Sequence, residues 1–467
     1  MYLEALTGRP SRQSHPAGEG KAADPLVAAD LTPEAEEARR AVTHAFIGPI
    51  GRRAVAVFLG RSDYRKVHHL YSDTMANLLM ACLPDLVHEL GGQVILTALF
   101  ANSDHLNAIT FPLEVDGRTQ QVVTDGHVFI HLPEERVVVS ADSEDTPRGL
   151  VSHVVVRSNR DSAAFFKRWV EYGREHNHLR GRAFFADGDL IERDRRYTWD
   201  DILLPEKVKR AVQTHVQGFL ANRDRLRALG VKARRGLILE GRPGTGKTLL
   251  GKVLADTLGV SFLWVTPRHV ESPRSFDYIL RLARFVAPTV VFLEDLDLFA
   301  EDRRGKGWMG LGELMNQLDG AVENQDVITI ATTNRLEVVE DALRNRPGRF
   351  DRVLTIDALD EPCRRWLIEK LLAKAKVASE DMSYLVSSTE DYTGAQLEEL
   401  ANTLYILAIQ QDAGDPSDAD GNDGGSKDDG CDGVSAPPPL VITRPLIDEA
   451  LEEVQTEPGR TFGFRVA

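Results

Sequence analysis

The sequence predicts an α/β protein: a parallel three-layer sheet with a C-terminal helical lid, preceded by a smaller α+β domain. Three observations lead there. Five short apolar runs, GLILE, SFLWV, TVVFLED, VITIATTN and VLTID, lie between residues 236 and 357, each separated by a helix-length segment. That alternation is what a parallel sheet with crossover helices requires. The first run ends in a glycine-rich turn and the third in an acidic pair. At 467 residues, 42% of them apolar and 27% charged, the chain is long enough to bury two or three cores.

Residues 1–40, with RPSRQSHPAGEGKAADP and TPEAEEARR, are rich in Pro, Gly and charge, and a disordered arm is expected there. From 41 to 194, short β-branched runs (QVILTALF, AITFPLEV, HVFIHL, RVVVSAD, SHVVVRS) are bounded by Gly, Asp and Asn turns. Helical stretches (YSDTMANLLMACLPDLVHEL and SAAFFKRWVEYGREH) accompany them. This α+β domain shows no catalytic constellation, and its position ahead of the sheet domain suggests a client or adaptor role. Residues 195–358 hold the parallel sheet. Residues 359–456 form the helical lid, interrupted at 412–439 by an insert with eight Asp against one Lys, a net of -7, which cannot pack a core. Residues 457–467 are a tail.

The formal net charge of -15 argues against a surface built for phosphate backbones, so nucleic acid is an unlikely partner. Cys82, Cys363 and Cys431 stand in no metal-ligand spacing and form no disulfide framework. No stretch approaches the roughly 20 apolar residues needed to cross a bilayer, and a cytoplasmic location is the expectation.

After GLILE comes GRPGTGKT, Gly241 to Thr248, then the helix LLGKVLADTLG. This is G-x-x-x-x-G-K-[ST] between a strand and a helix, the context that gives a P-loop NTPase its nucleotide site. Glycines let consecutive backbone N–H groups turn toward phosphate oxygens, and the helix N-terminus adds partial positive charge. The expected ATP-binding residues are Gly241, Pro243, Gly244, Thr245, Gly246, Lys247, Thr248 and Leu249, with Lys247 on the β- and γ-phosphates and the Thr248 hydroxyl on Mg²⁺. Residues 290–297, VVFLEDLD, supply the matching acids. Glu294 is expected to hold the metal through water and Asp295 to polarise the attacking water. The 47 residues from Lys247 to Glu294 leave room for a helix, a strand and another helix.

With these motifs the chain resembles the AAA family of the AAA+ ATPases over about residues 197–456. ITIATTNR is similar to the family's sensor strand, with Asn334 at its polar tip. DALRNRPGRFDRV is similar to its second region of homology, which implies that Arg346 and Arg349 are arginine fingers for a neighbouring subunit's nucleotide. DYTGAQLEEL resembles the start of the lid helix over adenine and implies Gly394 and Ala395 at the base. TWDDI resembles the entry segment, implying Asp201 and Ile202 near the adenine edge. An arginine twelve residues past Asn334 must find another chain's ATP, so the resemblance implies a homo-oligomeric ring, a hexamer first and a heptamer as the alternative.

Two departures stand out. Most members end the acidic strand in Asp then Glu, whereas this chain has Glu294 then Asp295, an order found in proteins similar to the mitochondrial AAA translocase that moves the folded Rieske protein. The loop after the second strand, TPRHVESPRS, has no aromatic to grip an extended peptide, which leaves threading open. In GWMG, Trp308 with Met309 either replaces that grip or packs beneath the following helix. His176 with His178, and His68 with His69, are expected in solvated turns, not as metal ligands.

The sequence thus points to an ATPase, forming ADP and phosphate, whose ring remodels or translocates a protein client. The alternative is a nucleotide-switched assembly scaffold with slow or no turnover. A nucleic-acid motor is disfavoured by the acidic balance.

Overall fold

The computed structural model describes residues 26–46, 51–61, 65–101, 104–106, 108–115, 117–146, 149–230, 234–270, 273–299, 326–339, 350–412 and 440–455. The chain divides into two compact units between Asn177 and His178.

The first unit opens with α1 (Pro33–Phe46) and α2 (Gly51–Leu59), then β1 (Lys66–Ser72), α3 (Asp73–Glu89), β2 (Gln93–Ala101), β3 (Asp104–Leu106), β4 (Ile109–Val115), β5 (Arg118–His131), β6 (Arg136–Thr146), β7 (Gly149–Ser158) and α4 (Ser162–His176). The strands form an antiparallel sheet in the order β1-β7-β6-β5-β2-β3, with β4 also on β5. Ser72 caps α3 by accepting from Met75 N–H, and Asp161 caps α4 by accepting from Ala163 and Ala164. The buried Trp169 indole donates to Leu79 O at 2.8 Å and clips α4 to α3. His68 and His69 lie on β1, not in a turn: His68 Nε2 meets His153 Nδ1 at 2.9 Å and His69 stacks on Phe166.

Two sequence-based boundaries move. Residues 1–25 of the expected disordered arm lie outside the described residues, and the arm does not extend to residue 40, because α1 begins at Pro33 and buries Ala35, Ala38 and Val42 against a cluster with Phe58 and Phe129. Its stripe is mostly alanine, which composition alone does not register as a core face. The first domain ends at 177, not 194, because β8 (Ala183–Phe185) pairs with the sheet of the second unit.

That unit continues with α5 (Glu206–Val212), a π turn at Gln213–Gln217, α6 (Gly218–Ala221), α7 (Arg223–Ala228), β9 (Arg234–Glu240), α8 (Lys247–Thr257), β10 (Ser261–Val265), α9 (Pro273–Phe285), β11 (Thr289–Leu293), β12 (Val327–Thr333) and β13 (Arg352–Thr355). The sheet is parallel throughout, in the order β13-β9-β12-β11-β10-β8. Every residue of β10, β11 and β12 is buried, as expected of strands covered on both faces. Leu250, Val253 and Leu254 of α8 pack with Phe262, Trp264, Phe292, Ile328 and Ile330, and Val208 and Val212 of α5 join them. Strand alternation turns Val291 and Leu293 the other way.

The lid comprises α10 (Glu361–Leu371), β14 (Ala375–Val377), α11 (Ser379–Ser388), α12 (Gly394–Asp412), β15 (Leu440–Ile442) and α13 (Arg444–Gln455) around its own core, which includes Ile368, Leu385, Leu397, Leu404 and Ile447. β14 pairs in parallel with β15, so the chain beyond 413–439 returns to the lid. That insert and the 457–467 tail lie outside the described residues, as do Trp308 and Met309. No helix among the described residues is long and apolar enough to cross a membrane.

Candidate active site

The site is built where the C-terminal ends of β9, β11 and β12 meet the N-terminus of α8. β9 leaves the sheet at Gly241, whose N–H donates to Thr333 O at 3.3 Å. The turn needs left-handed backbone at Gly244 (φ 80°) and Gly246 (φ 95°), which glycine adopts without a Cβ clash. A Cβ on Gly244 would also stand 2.8 Å from Thr393 Oγ1 and from Ala395 Cβ, so the backbone of the turn packs directly on side chains of the lid. Thr245 is buried and closes the turn by donating to Arg242 O at 2.9 Å. Lys247 is 7% exposed; its ammonium donates to Gly241 O at 2.6 Å and Arg242 O at 2.9 Å. Burial pushes Lys247 below the ordinary lysine range, against the pull of Asp295, Glu240 and Asp297. Thr248 is exposed at the head of α8, and Leu249 packs on the sheet core behind it. Pro243 is exposed on the turn.

The acidic tip of β11 divides its carboxylates among three tasks. Glu294 is held at both oxygens: Thr248 Oγ1 donates to Oε1 at 2.6 Å and the Trp264 indole N–H donates to Oε2 at 3.1 Å. Asp295 adopts the left-handed region, φ 54°, uncommon for a non-glycine residue and often found at functional sites. Its N–H donates to Thr332 Oγ1 at 3.0 Å and its Oδ1 accepts from Asn334 Nδ2 at 3.3 Å. Burial, then the charges of Glu294 and Asp297, raise the Asp295 carboxyl above the usual range. Asp297, 3% exposed, faces β12: Oδ1 accepts from Thr333 Oγ1 at 2.8 Å and Asn334 N–H at 3.2 Å, and Arg335 Nε lies 3.5 Å from Oδ2.

The lid closes the turn from one side. Ala395 N–H donates to Gly244 O at 3.2 Å, with Gly394 alongside, and Arg242 reaches Asp391 O at 2.9 Å. Ile202 is buried, with its Cδ1 3.9 Å from where a Gly246 Cβ would stand. Asp201 is spent on its own turn, accepting from Thr198 N–H at 2.7 Å and from Arg195 at 3.0 Å; those bonds hold it below the usual carboxylate range. Arg346 and Arg349 lie outside the described residues. A cleft of about 680 Å³ between the base of the turn and the lid hinge is lined by Glu240, Arg242, Asp357 and Arg364. It does not include Lys247, Thr248 or Glu294, and the phosphate chemistry follows those three.

A hydroxyl and a carboxylate joined at 2.6 Å are hard oxygen donors of the kind Mg²⁺ takes, with phosphate oxygens and water completing its shell. The residues fit a magnesium nucleotide, with Thr248 and Glu294 as the holding pair. Among the described residues no group of three or more His, Cys, Asp or Glu is arranged to hold a metal by itself. His178 lies in a turn but is half-buried; burial, with Arg182 nearby, pushes it down to about 4.

Residues 237–358 match the family described as "ATPase family associated with various cellular activities (AAA)". This part of the chain is a AAA ATPase domain. The domain and its surroundings are 34% identical over 238 residues to the ATP-dependent zinc metalloprotease FtsH of Halothermothrix orenii, covering 48% of this chain and 37% of that protein. The FtsH of Mesomycoplasma conjunctivae is 30% identical over 338 residues, 68% of this chain and 41% of that protein. ATPase family gene 2 protein of Saccharomyces cerevisiae is 32% identical over 226 residues, 46% and 29% of the two chains. The chain thus spans less than half the length of these curated relatives.

Sequence reasoning missed three residues in the AAA domain. Asp297 was visible as a third acid in VVFLEDLD, but its task depends on strand β12. Trp264 lies 30 residues from Glu294 and meets it only through the pairing of β10 with β11. Gly251 on α8 leaves room for that indole, since a Cβ there would stand 2.8 Å from Trp264 Cη2 and 2.7 Å from Phe292 Cζ. A glycine inside a helix that otherwise buries leucine and valine was the available signal.

Proposed function

We propose that the protein is an ATP-hydrolysing AAA ATPase whose protomers form a ring that remodels or translocates a protein client. The observation that carries this reading is the pair of links Thr248 to Glu294 and Asp295 to Asn334, at 2.6 and 3.3 Å, which gathers a metal-holding pair and an oriented base at one edge of the sheet. Lys247 neutralises phosphate charge and the 244–246 backbone binds phosphate oxygens. Asp295, turned by its left-handed backbone and held by Asn334, orients a water and accepts its proton; the burial that raises its proton affinity strengthens it as a base. Thr248 and Glu294 would hold Mg²⁺, which when bound would neutralise phosphate charge. Arg346 and Arg349 of a neighbouring protomer would supply positive charge to the γ-phosphate, worth ~10³ to 10⁵ in rate.

The ring is taken as hexameric, with a heptamer as the alternative, and its location as cytoplasmic. The Glu294-Asp295 order supports a translocase similar to the type that moves folded protein. The turn after β10 supports a client that is not threaded. Pro267–His269 is a single 3₁₀ turn in which Thr266 N–H bonds His269 Nδ1 at 3.0 Å, with Arg268 over the Phe185 ring at 5.0 Å. The proteolysis in the names of the FtsH relatives is not part of this proposal.

Mixing two inactive variants tests both the site and the ring. Lys247→Ala and Arg349→Ala are each expected to abolish turnover alone. Mixed rings should recover part of it, because a Lys247→Ala protomer still lends its arginine to a neighbour with an intact P-loop. No recovery at any ratio, with a monomeric mass, would overturn the ring.

A further inference from the structure

Trp264 is not one of the phosphate-binding residues, yet among the described residues its indole N–H bonds Glu294 alongside Thr248. The register pairs Trp264 with Phe292, and Glu294 follows two residues later, so the indole, Phe292 and the Glu294 carboxylate share the sheet face that α8 covers. Trp264 is 5% exposed and its ring lies 4.7 Å from Phe292. A buried indole N–H needs an acceptor, and here the acceptor is a carboxylate of the metal-holding pair. The geometry also explains a costly residue. Gly251 disfavours its own helix relative to alanine, and any Cβ at that point would collide with Trp264 and Phe292. The helix gives up a side chain to admit the indole.

We infer that Trp264 is the positioning residue for Glu294: its N–H fixes Oε2 while Thr248 fixes Oε1, which presents the carboxylate to Mg²⁺ in one orientation. The set also accounts for glutamate at 294. An aspartate, one methylene shorter, would not span from the Thr248 hydroxyl to the indole. This inference rests on the nucleotide–Mg²⁺ reading of the site. Partners in the second layer around a metal typically tune its affinity 10- to 100-fold.

The test uses the full-length protein with AMP-PNP and Mn²⁺ as probes, reading metal affinity from the loss of the free-Mn²⁺ EPR signal. Trp264→Phe keeps an aromatic ring and removes the donor. Benzothienylalanine, installed at 264 alone by amber suppression, keeps the indole shape and replaces only the N–H, so a folding defect in the first variant does not decide the matter. Both substitutions are expected to weaken Mn²⁺ binding to the protein–nucleotide complex about tenfold. AMP-PNP affinity in EDTA should stay within twofold of the wild type, an outcome that a general packing defect would not give. Mn²⁺ affinity within twofold of wild type in the benzothienylalanine protein would overturn the role of Trp264. A wild-type protein that adds nothing to the Mn²⁺ affinity of free AMP-PNP would instead overturn the site reading beneath it.

Discussion

The carboxylate of Asp297 accepts the backbone N–H of Asn334 at 3.2 Å, tying the tip of β11 to the tip of β12. Through this contact and the Thr333 hydroxyl bond, an acid that touches no phosphate sets where the Asn334 amide points, and that amide holds Asp295. Replacing Asp297 by Ala leaves the buried Thr333 hydroxyl and the half-buried Asn334 N–H without their acceptor. A loss of ~2–4 kcal/mol in urea unfolding is expected, together with a lower kcat. Asp297→Asn, which keeps an acceptor, should recover most of the stability.

Asp295→Asn is expected to retain ATP and lose turnover, measured by nucleotide binding beside phosphate release. A variant that hydrolyses ATP normally would show that another carboxylate is the base.

The raised Asp295 carboxyl also fixes a pH dependence. The folded protein binds this proton more tightly than the unfolded chain, so the native state is favoured below the unfolded value near 3.8 and loses that advantage as pH rises through the folded value. Asp295→Asn removes the penalty. Its melting temperature should therefore equal or exceed wild type at pH 7, with the difference vanishing toward pH 4. The acid limb of kcat in the wild type should fall above 3.8, where the base protonates.

Gly251→Ala tests the packing of α8 on the sheet. Helix propensity alone favours alanine by ~1 kcal/mol, but the new methyl would meet Phe292 and Trp264 inside van der Waals contact. Overpacking of this kind costs ~1–3 kcal/mol, so net destabilisation by chemical denaturation is expected. A more stable variant would mean that the indole moves freely.

The parallel sheet was legible because β9 to β12 are buried on both faces and appear as unbroken apolar runs ending in Gly241, Glu294 and Asn334. β8 was not, since three residues, Ala183 to Phe185, carry no periodicity and gain strand character only by pairing with β10. Lys247 and Thr248 could be named from spacing because the P-loop is a local structure. Trp264 and Asp297 could not, because each acts on a neighbouring strand. Asp201 shows the opposite case: its motif was plain, but Thr198 and Arg195 occupy its carboxylate.

Steady-state phosphate release from purified protein with Mg²⁺ and ATP, wild type beside Lys247→Met, tests the central claim most directly. We expect saturable turnover in the wild type and none in the variant. Release that persists in Lys247→Met, or a wild type with no release at any ATP concentration, would contradict it.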